Sequence, residues 1–249
     1  MTRRTAKGGK AFVGTSGWNQ DSWKESFYGD VPREEWLEHL ASVLPAVEVA
    51  STFYQTPTAG TLKSWRSRTP ASFKFAIKGH RHITHQKRLV GVSESIGKLR
   101  NALRPLGDRL AVVLWQMPSA LPLDLARLES FASALATWSE VRHAIEFRHP
   151  SWFEDDVAER MREHSLAVCI SDAADWPMWD EVTTDLVYVR LHGHTRTYRS
   201  SYRKSSLTKW VDRARRWLGE GRNVHIYFDN EGEGAAPKNA IQLLELLAS

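Results

Sequence analysis

The sequence predicts an α/β protein, a single TIM-barrel-like (β/α)8 domain. Three observations point there. Eight short apolar segments of strand type recur along the 249 residues, and a helical period follows nearly every one. Strict alternation of strand and helix builds a parallel sheet, and eight units in about 250 residues suit a closed barrel. Several strands also alternate an apolar face with a charged one. The competing architecture is an open doubly wound sheet. No G-x-G-x-x-G follows the first strand, so the sequence carries no nucleotide-cofactor motif.

Phe12–Thr15 reads as the first strand, followed by the loop SGWNQDSW, rich in aromatics at Trp18, Trp23, Phe27 and Tyr28. Arg33–Val43 is helical, with Trp36, Leu37, Leu40 and Val43 three and four apart. Ala46–Ala50 is a strand and Ala59–Arg66 a short helix bearing Leu62 and Trp65. Phe73–Ile77 is a strand ending in the basic run KGHRHITHQK. Ser93 caps a helix reaching Leu103, and Leu110–Trp115 is the fourth strand. Asp124–Trp138 is a helix facing inward through Leu125, Leu128, Phe131, Leu135 and Trp138. The stretch His143–Trp152 is a buried strand that ends in charge. Helix Asp155–His164 precedes strand Ala167–Ser171, and Asp175–Asp180 is loop. Strand Leu186–Leu191 exits through an Arg- and Tyr-rich loop to helix Leu207–Leu218. Strand Val224–Phe228 is followed by a final helix ending near Leu247, with Pro237 in its first turn. No internal repeat or linker interrupts the series.

Composition narrows the class. Hydrophobic residues make up 42% of the chain and charged residues 25%, ordinary values for a globular domain. The net charge of +5 favours anionic partners mildly. The single cysteine, Cys169, lies in the apolar run AVCIS, which excludes an internal disulfide and suits a buried thiol in a reducing compartment. No apolar run approaches the roughly 18 residues that span a bilayer, and the basic start MTRRTAKGGK lacks the apolar core of a secretory signal. The expectation is a cytoplasmic protein with no membrane partner and a loose tail over residues 1–10.

Side chains alternate with period 2, so each strand's two faces are legible. Val47 and Val49 oppose Glu48. Phe75 and Ile77 oppose Lys78. Ile145 and Phe147 oppose Glu146 and Arg148. Val189 and Leu191 oppose Arg190 and His192. In a barrel the apolar face packs on the helices, so the charged face points inward. Asp172 and Asp229, at the ends of the sixth and eighth strands, are expected in the same group. Most of these charges fall near C-terminal strand ends, where barrel active sites form. The other reading is internal pairing, such as Glu146 with Arg148 or with Arg190.

The residues also resemble a known family, the Domain of Unknown Function 72 or YecE-like proteins. The matching pieces are GTSGW at 14–18, W-x-x-x-FY ending at Tyr28, E-x-x-STFY at 48–54 and F-x-FAIK at 73–78. ITH at 83–85, QMP at 116–118, EFRHPSW at 146–152, YVRLHG at 188–193 and YFDN followed by NA at 239–240 complete the order. The resemblance implies a TIM-barrel-like fold and a bacterial-type cytoplasmic protein, and brings no established reaction. Two positions depart from the family pattern: Ala50 stands where relatives have Asn, and Asp229-Asn230 stands where they have an Asn pair.

These readings lead to an enzyme of hydrolase, isomerase or lyase type on a phosphorylated or other anionic substrate. Lys78, Arg148 and Arg190 hold the anion, since Arg suits bidentate recognition of phosphate or carboxylate. Glu48 or Glu146 serves as base, His192 as acid or proton shuttle, and Asp172 completes the catalytic set. Trp18, Tyr54, Tyr198, Tyr202, Asp229 and Asn230 are placed around the substrate. Trp23 and Trp152 also follow strands and are candidates to line a pocket, whereas Trp36, Trp65, Trp138 and Trp217 belong to the core. A divalent metal held by Glu48, Glu146, Asp172 and His192 is one alternative, and the cluster His80, His82, His85 a weaker metal site. Lys78 as a Schiff-base amine is another. The second class is a nucleic-acid or phosphodiester binder, carried by HRHITHQKR at 80–88 and RTYRSSYRK at 196–204.

Overall fold

The structure is a computed structural model that describes residues 8–249, so residues 1–7, most of the expected tail, lie outside the described residues. Gly9 is already tied down: its N–H donates to the Leu218 carbonyl at 3.2 Å. Eight parallel strands then close a barrel in sequence order. They are β1 (Ala11–Ser16), β2 (Ala46–Val49), β3 (Lys74–Lys78), β4 (Leu110–Gln116), β5 (Arg142–Glu146), β6 (Ala167–Ala173), β7 (Leu186–Gly193) and β8 (Asn223–Phe228). Strands β8 and β1 seal the circle in the register Ala11↔Val224 through Thr15↔Phe228.

Seven α-helices are present among the described residues: α1 (Trp36–Val43), α2 (Ala59–Ser67), α3 (Ser93–Leu103), α4 (Leu125–Ala136), α5 (Asp155–Glu163), α6 (Lys204–Gly219) and α7 (Ala235–Ala248). No helix follows β6, where residues 174–185 form a loop. Asp124 caps α4 by accepting from the Arg127 N–H at 2.9 Å. Ser93, expected as a cap, is instead the first helical residue of α3, after Val92. Helix α6 begins a turn earlier than Leu207, because its first three residues are polar and add nothing to the apolar period. None of these helices is long and apolar enough to cross a membrane.

Two cores result. The outer one joins Val47, Val49, Ile77, Val113, Ile145, Val189 and Ile226 to helix residues such as Leu40, Leu62, Phe131 and Trp217. The inner one fills the lower barrel with Ala46, Ala76, Val112, Leu114, Ala144, Cys169, Tyr188 and Tyr227. The upper barrel holds the charges.

Candidate functional site at the C-terminal barrel mouth

Alternation along the strands delivers the charged layer. Ser16 ends β1, Glu48 is the third residue of β2, Lys78 ends β3 and Glu146 ends β5, while Arg190 and His192 lie two apart on β7. Arg148 follows β5 and Asp229 follows β8. Glu48, Glu146, Arg190 and His192 are all buried.

Arg190 is the hub. Its Nη2 donates to Glu48 Oε1 at 2.7 Å and to Asp229 Oδ2 at 2.9 Å. Its Nε donates to Glu48 Oε2 at 3.0 Å and its Nη1 to Glu146 Oε2 at 3.1 Å. Ser16 and Tyr188 each donate to Glu48 at 2.7 Å. Ser171 donates to Glu146 at 2.9 Å. Three buried carboxylates thus surround one guanidinium, and Arg148 adds a second cation by donating from Nε to Glu146 Oε1 at 2.7 Å.

His192 sits between Arg190 and Asp229. Its Nε2 lies 3.2 Å from Arg190 Nη1, and its Nδ1 lies 2.9 Å from Asp229 Oδ2. A guanidinium only donates, so Nε2 accepts in that contact, which leaves the ring proton to Nδ1; Nδ1 lies near Asp229 without an aligned hydrogen bond.

The electrostatics follow from this pairing. Burial works against charge on Arg190, and Glu48, Asp229 and Glu146 outweigh it, so it is held charged more firmly than a free arginine. Burial likewise opposes ionisation of Glu146, but Arg148 and Arg190 hold its carboxyl well below the usual range. Asp229 is brought down to about 2 against its burial, by Arg190 and His192.

Two cations keep spare capacity. Lys78 sits with its ammonium 4.5 Å from the centre of the Phe53 ring, and no carboxylate among the described residues is in ion-pair contact with it. Burial, then Arg190, lowers its pKa below that of an ordinary lysine. Arg148 lies flat over Trp176 at 3.7 Å, and its Nη2 is buried without a hydrogen-bond partner. Trp176 also donates to Ser171 Oγ at 3.1 Å and meets His192 edge-on at 5.0 Å. On the opposite side of the mouth, burial and then Asp229 push the carboxyl of Glu231 up to about 7.

Several expected positions move. Asp172 does not join the charged layer. Cys169 and Ser171 take the inward positions of β6, and period 2 turns Asp172 to the other face, where its carbonyl lies 3.5 Å from Tyr202 Oη. The four residues expected to hold a metal therefore do not converge. Among the described residues no group of three or more His, Cys, Asp or Glu side chains is arranged for one. His80 and His82 turn to the Tyr54 carbonyl at 3.0 Å and to Gln86 at 2.8 Å, respectively.

Tyr202 is buried, with its hydroxyl accepting from the Gly193 N–H at 2.9 Å, so it offers no stacking face. Asn230 is buried and braces the loop after β7 through the Ser200 carbonyl and Asn239, each at 3.0 Å. Tyr54 and Tyr198 remain exposed at the rim, and Tyr198 stands edge-on to His192. Trp23 and Trp152, expected as pocket candidates, are fully buried. Trp65, expected in the core, packs against it on Phe75 while half-buried, and also faces Trp18 across a cleft. Arg190, expected to hold an anion, has its donors committed to Glu48, Glu146 and Asp229.

Ser16, Ser171, Tyr188, Trp176 and Glu231 belong to the site and were not singled out from sequence. The parity of β1, β6 and β7 contains the first three. Trp176 and Glu231 lie on loops, whose paths no period encodes.

A family model described as "Protein of unknown function DUF72" matches residues 12–249. The UPF0759 protein YunF of Bacillus subtilis (strain 168) is 24% identical over 268 residues, covering 95% of this chain and 94% of its own length. The crystal structure of a DUF72 family protein from Thermotoga maritima MSB8 superposes with a TM-score of 0.86 at 24% identity, covering 96% of this chain and all of the other. One from Enterococcus faecalis V583 gives a TM-score of 0.83 at 21% identity, covering 96% of each chain. At these identities the structural likeness speaks for the fold.

Proposed function

The chain belongs to the DUF72 family, one of unknown function, and we propose that this member is an enzyme working on an anionic small molecule at the C-terminal barrel mouth. One observation carries the reading. Half-buried Lys78 has no carboxylate partner among the described residues, and Arg148 keeps a buried Nη2 without a partner, both at the mouth above the carboxylates that Arg190 pairs with. An unspent buried donor such as Arg148 Nη2 is costly, and an anion satisfies it with Lys78 beside it. A phosphate or carboxylate bridging the two ends of β3 and β5 fits that need.

The chemistry that suits the residues around it is proton transfer. Arg190 keeps Glu48, Glu146 and Asp229 in place. Glu146 is ionised and serves as base. His192, oriented by Asp229, relays the proton. A cofactor-free hydrolase, isomerase or lyase uses such a set.

The test is phosphate binding, followed by calorimetry, with Lys78→Ala and Arg148→Ala. Each substitution should weaken binding by about tenfold, the worth of one charge-assisted hydrogen bond. Equal affinity in the double variant sinks the reading. Once a turned-over substrate is found among phosphorylated or carboxylated compounds, Glu146→Gln should abolish turnover.

A second partner class has one feature in its favour. Tyr54, with Arg81 above its ring, and Tyr198 are exposed aromatics on two rim loops. A phosphodiester strand tracks such loops by charge and stacking. Absence of salt-sensitive binding to single-stranded DNA or RNA eliminates it.

A further inference from the structure

Between the ends of β1 and β2 the mouth opens into a cleft of about 510 Å³, bordered by Trp18, Asn19, Gln20, Ser51, Trp65 and Glu231. It shares a wall with the charged layer. Ser16 lines it and donates to Glu48, 2.7 Å away. Among the described residues no lysine, arginine or histidine lines it. The basic residues Lys78 and Arg148 stand on β3 and just after β5, so the mouth is polarised, basic on one side and acid or neutral on the other.

The cleft's walls are fixed. Trp18 and Trp65 meet at 89° with ring centres 5.1 Å apart, which leaves one indole face and one edge. The Trp18 carbonyl accepts from Tyr28 Oη at 2.5 Å. The Glu231 carbonyl accepts from Trp23 Nε1 at 3.0 Å, which pins the backbone of this lining residue. An aromatic wall beside two amides, a hydroxyl and a carboxyl suits a ring with apolar C–H faces and hydroxyl edges. With no cation at hand, a second anionic group has nothing to pair with there. Rings set perpendicular do not sandwich a flat base between parallel faces.

We propose that this cleft is the subsite for an uncharged, hydroxyl-bearing ring, making the ligand a sugar phosphate or sugar acid. In it Trp18 is the apolar rest and Glu231 the carboxyl that hydrogen-bonds the hydroxyls. The inference rests on Lys78 and Arg148 holding the anionic end of the same molecule.

The experiment titrates a panel of hexose and pentose phosphates, their parent sugars and inorganic phosphate into the full-length protein. It uses the unsubstituted chain, Trp18→Ala, Trp18→Phe, Glu231→Gln and Lys78→Ala, each checked for a native thermal melt. At least one sugar phosphate should bind about tenfold more tightly than inorganic phosphate, a gain of about 1.4 kcal/mol. Trp18→Ala and Glu231→Gln should erase that gain while leaving phosphate affinity unchanged. Trp18→Phe should keep part of it, and Lys78→Ala should weaken phosphate and sugar phosphate alike. The proposal is overturned if no sugar phosphate exceeds inorganic phosphate, or if the gain survives both Trp18→Ala and Glu231→Gln. If phosphate does not bind at all, the anion reading fails by itself. The parent sugars then decide the cleft: binding that Trp18→Ala removes upholds it, and no binding ends it.

Discussion

Arg190 concentrates the energetics of the site in one side chain. It is the only guanidinium facing Glu48, Glu146 and Asp229 together among the described residues. Removing it leaves three carboxylates in a site that excludes water. Arg190→Ala should therefore cost about 3–5 kcal/mol in urea unfolding, the usual price of an orphaned buried ion partner. Arg190→Lys should recover little of this, because one ammonium cannot span carboxylates on three strands. A loss under about 1 kcal/mol for Arg190→Ala would show the network to be wet and dispensable.

Two carboxyls next to that hub set opposite pH limbs. Asp229 falls from 3.8 to about 2 in the folded chain. Its contribution is present above pH 4 and lost as the pH falls through 2, worth about 2 kcal/mol. Glu231 moves the other way, from 4.5 to about 7. The folded protein holds that proton more tightly than the unfolded one, so this contribution is full below pH 4.5 and lost as the pH rises through 7. Glu231→Gln, which cannot ionise, should flatten melting temperature between pH 5 and 8 relative to the parent. An unaltered slope over that range would remove Glu231 from the account.

At the scale of elements, strand parity made much of the site legible. Glu48, Lys78, Glu146, Arg148, Arg190 and His192 were readable as one inward face because each opposes large apolar neighbours. Asp172 shows the limit. It ends a strand in charge, but Cys169 and Ser171 hold the inward positions, and strict alternation would have placed it outside. Tyr202 and Asn230 are buried for another reason: both sit in loops, where burial depends on what the chain folds back against. A contact that no pattern reveals fixes β1 beside β2. A Cβ on Gly14 would lie 2.0 Å from the Ala46 carbonyl oxygen, a backbone atom that cannot swing away. Gly14→Ala should lower stability by roughly 1–3 kcal/mol or more, read by thermal unfolding. A native melting temperature would mean that the two strands can part at no cost.

For the whole molecule, closure is the property that matters. Cys169 lies in the inner core, beneath the charged layer and inside the ring of strands. Burial and the charge of Glu146 push its thiol well above the ordinary range. An aromatic disulfide reagent should leave it untouched in the native protein and modify one thiol per chain in denaturant. Rapid native reaction would contradict a sealed barrel.

The sequence by itself determined the eight strands, the helices between most of them and the sign of each strand's inner face, since all three are local periodicities of 2 or 3.6 residues. Only the tertiary structure decided which charges touch. Glu48 and Arg190 are 142 residues apart in the chain and 2.7 Å apart in the barrel. Closure brings three hydroxyls, three carboxylates, two guanidiniums and an imidazole to a common centre, where low dielectric makes pairing obligatory. That pairing spends Arg190 on three carboxylates and the Nε of Arg148 on one, while Lys78 meets no carboxylate among the described residues. No spacing along the chain encodes that division, because it depends on distances between strands that meet only when the barrel shuts.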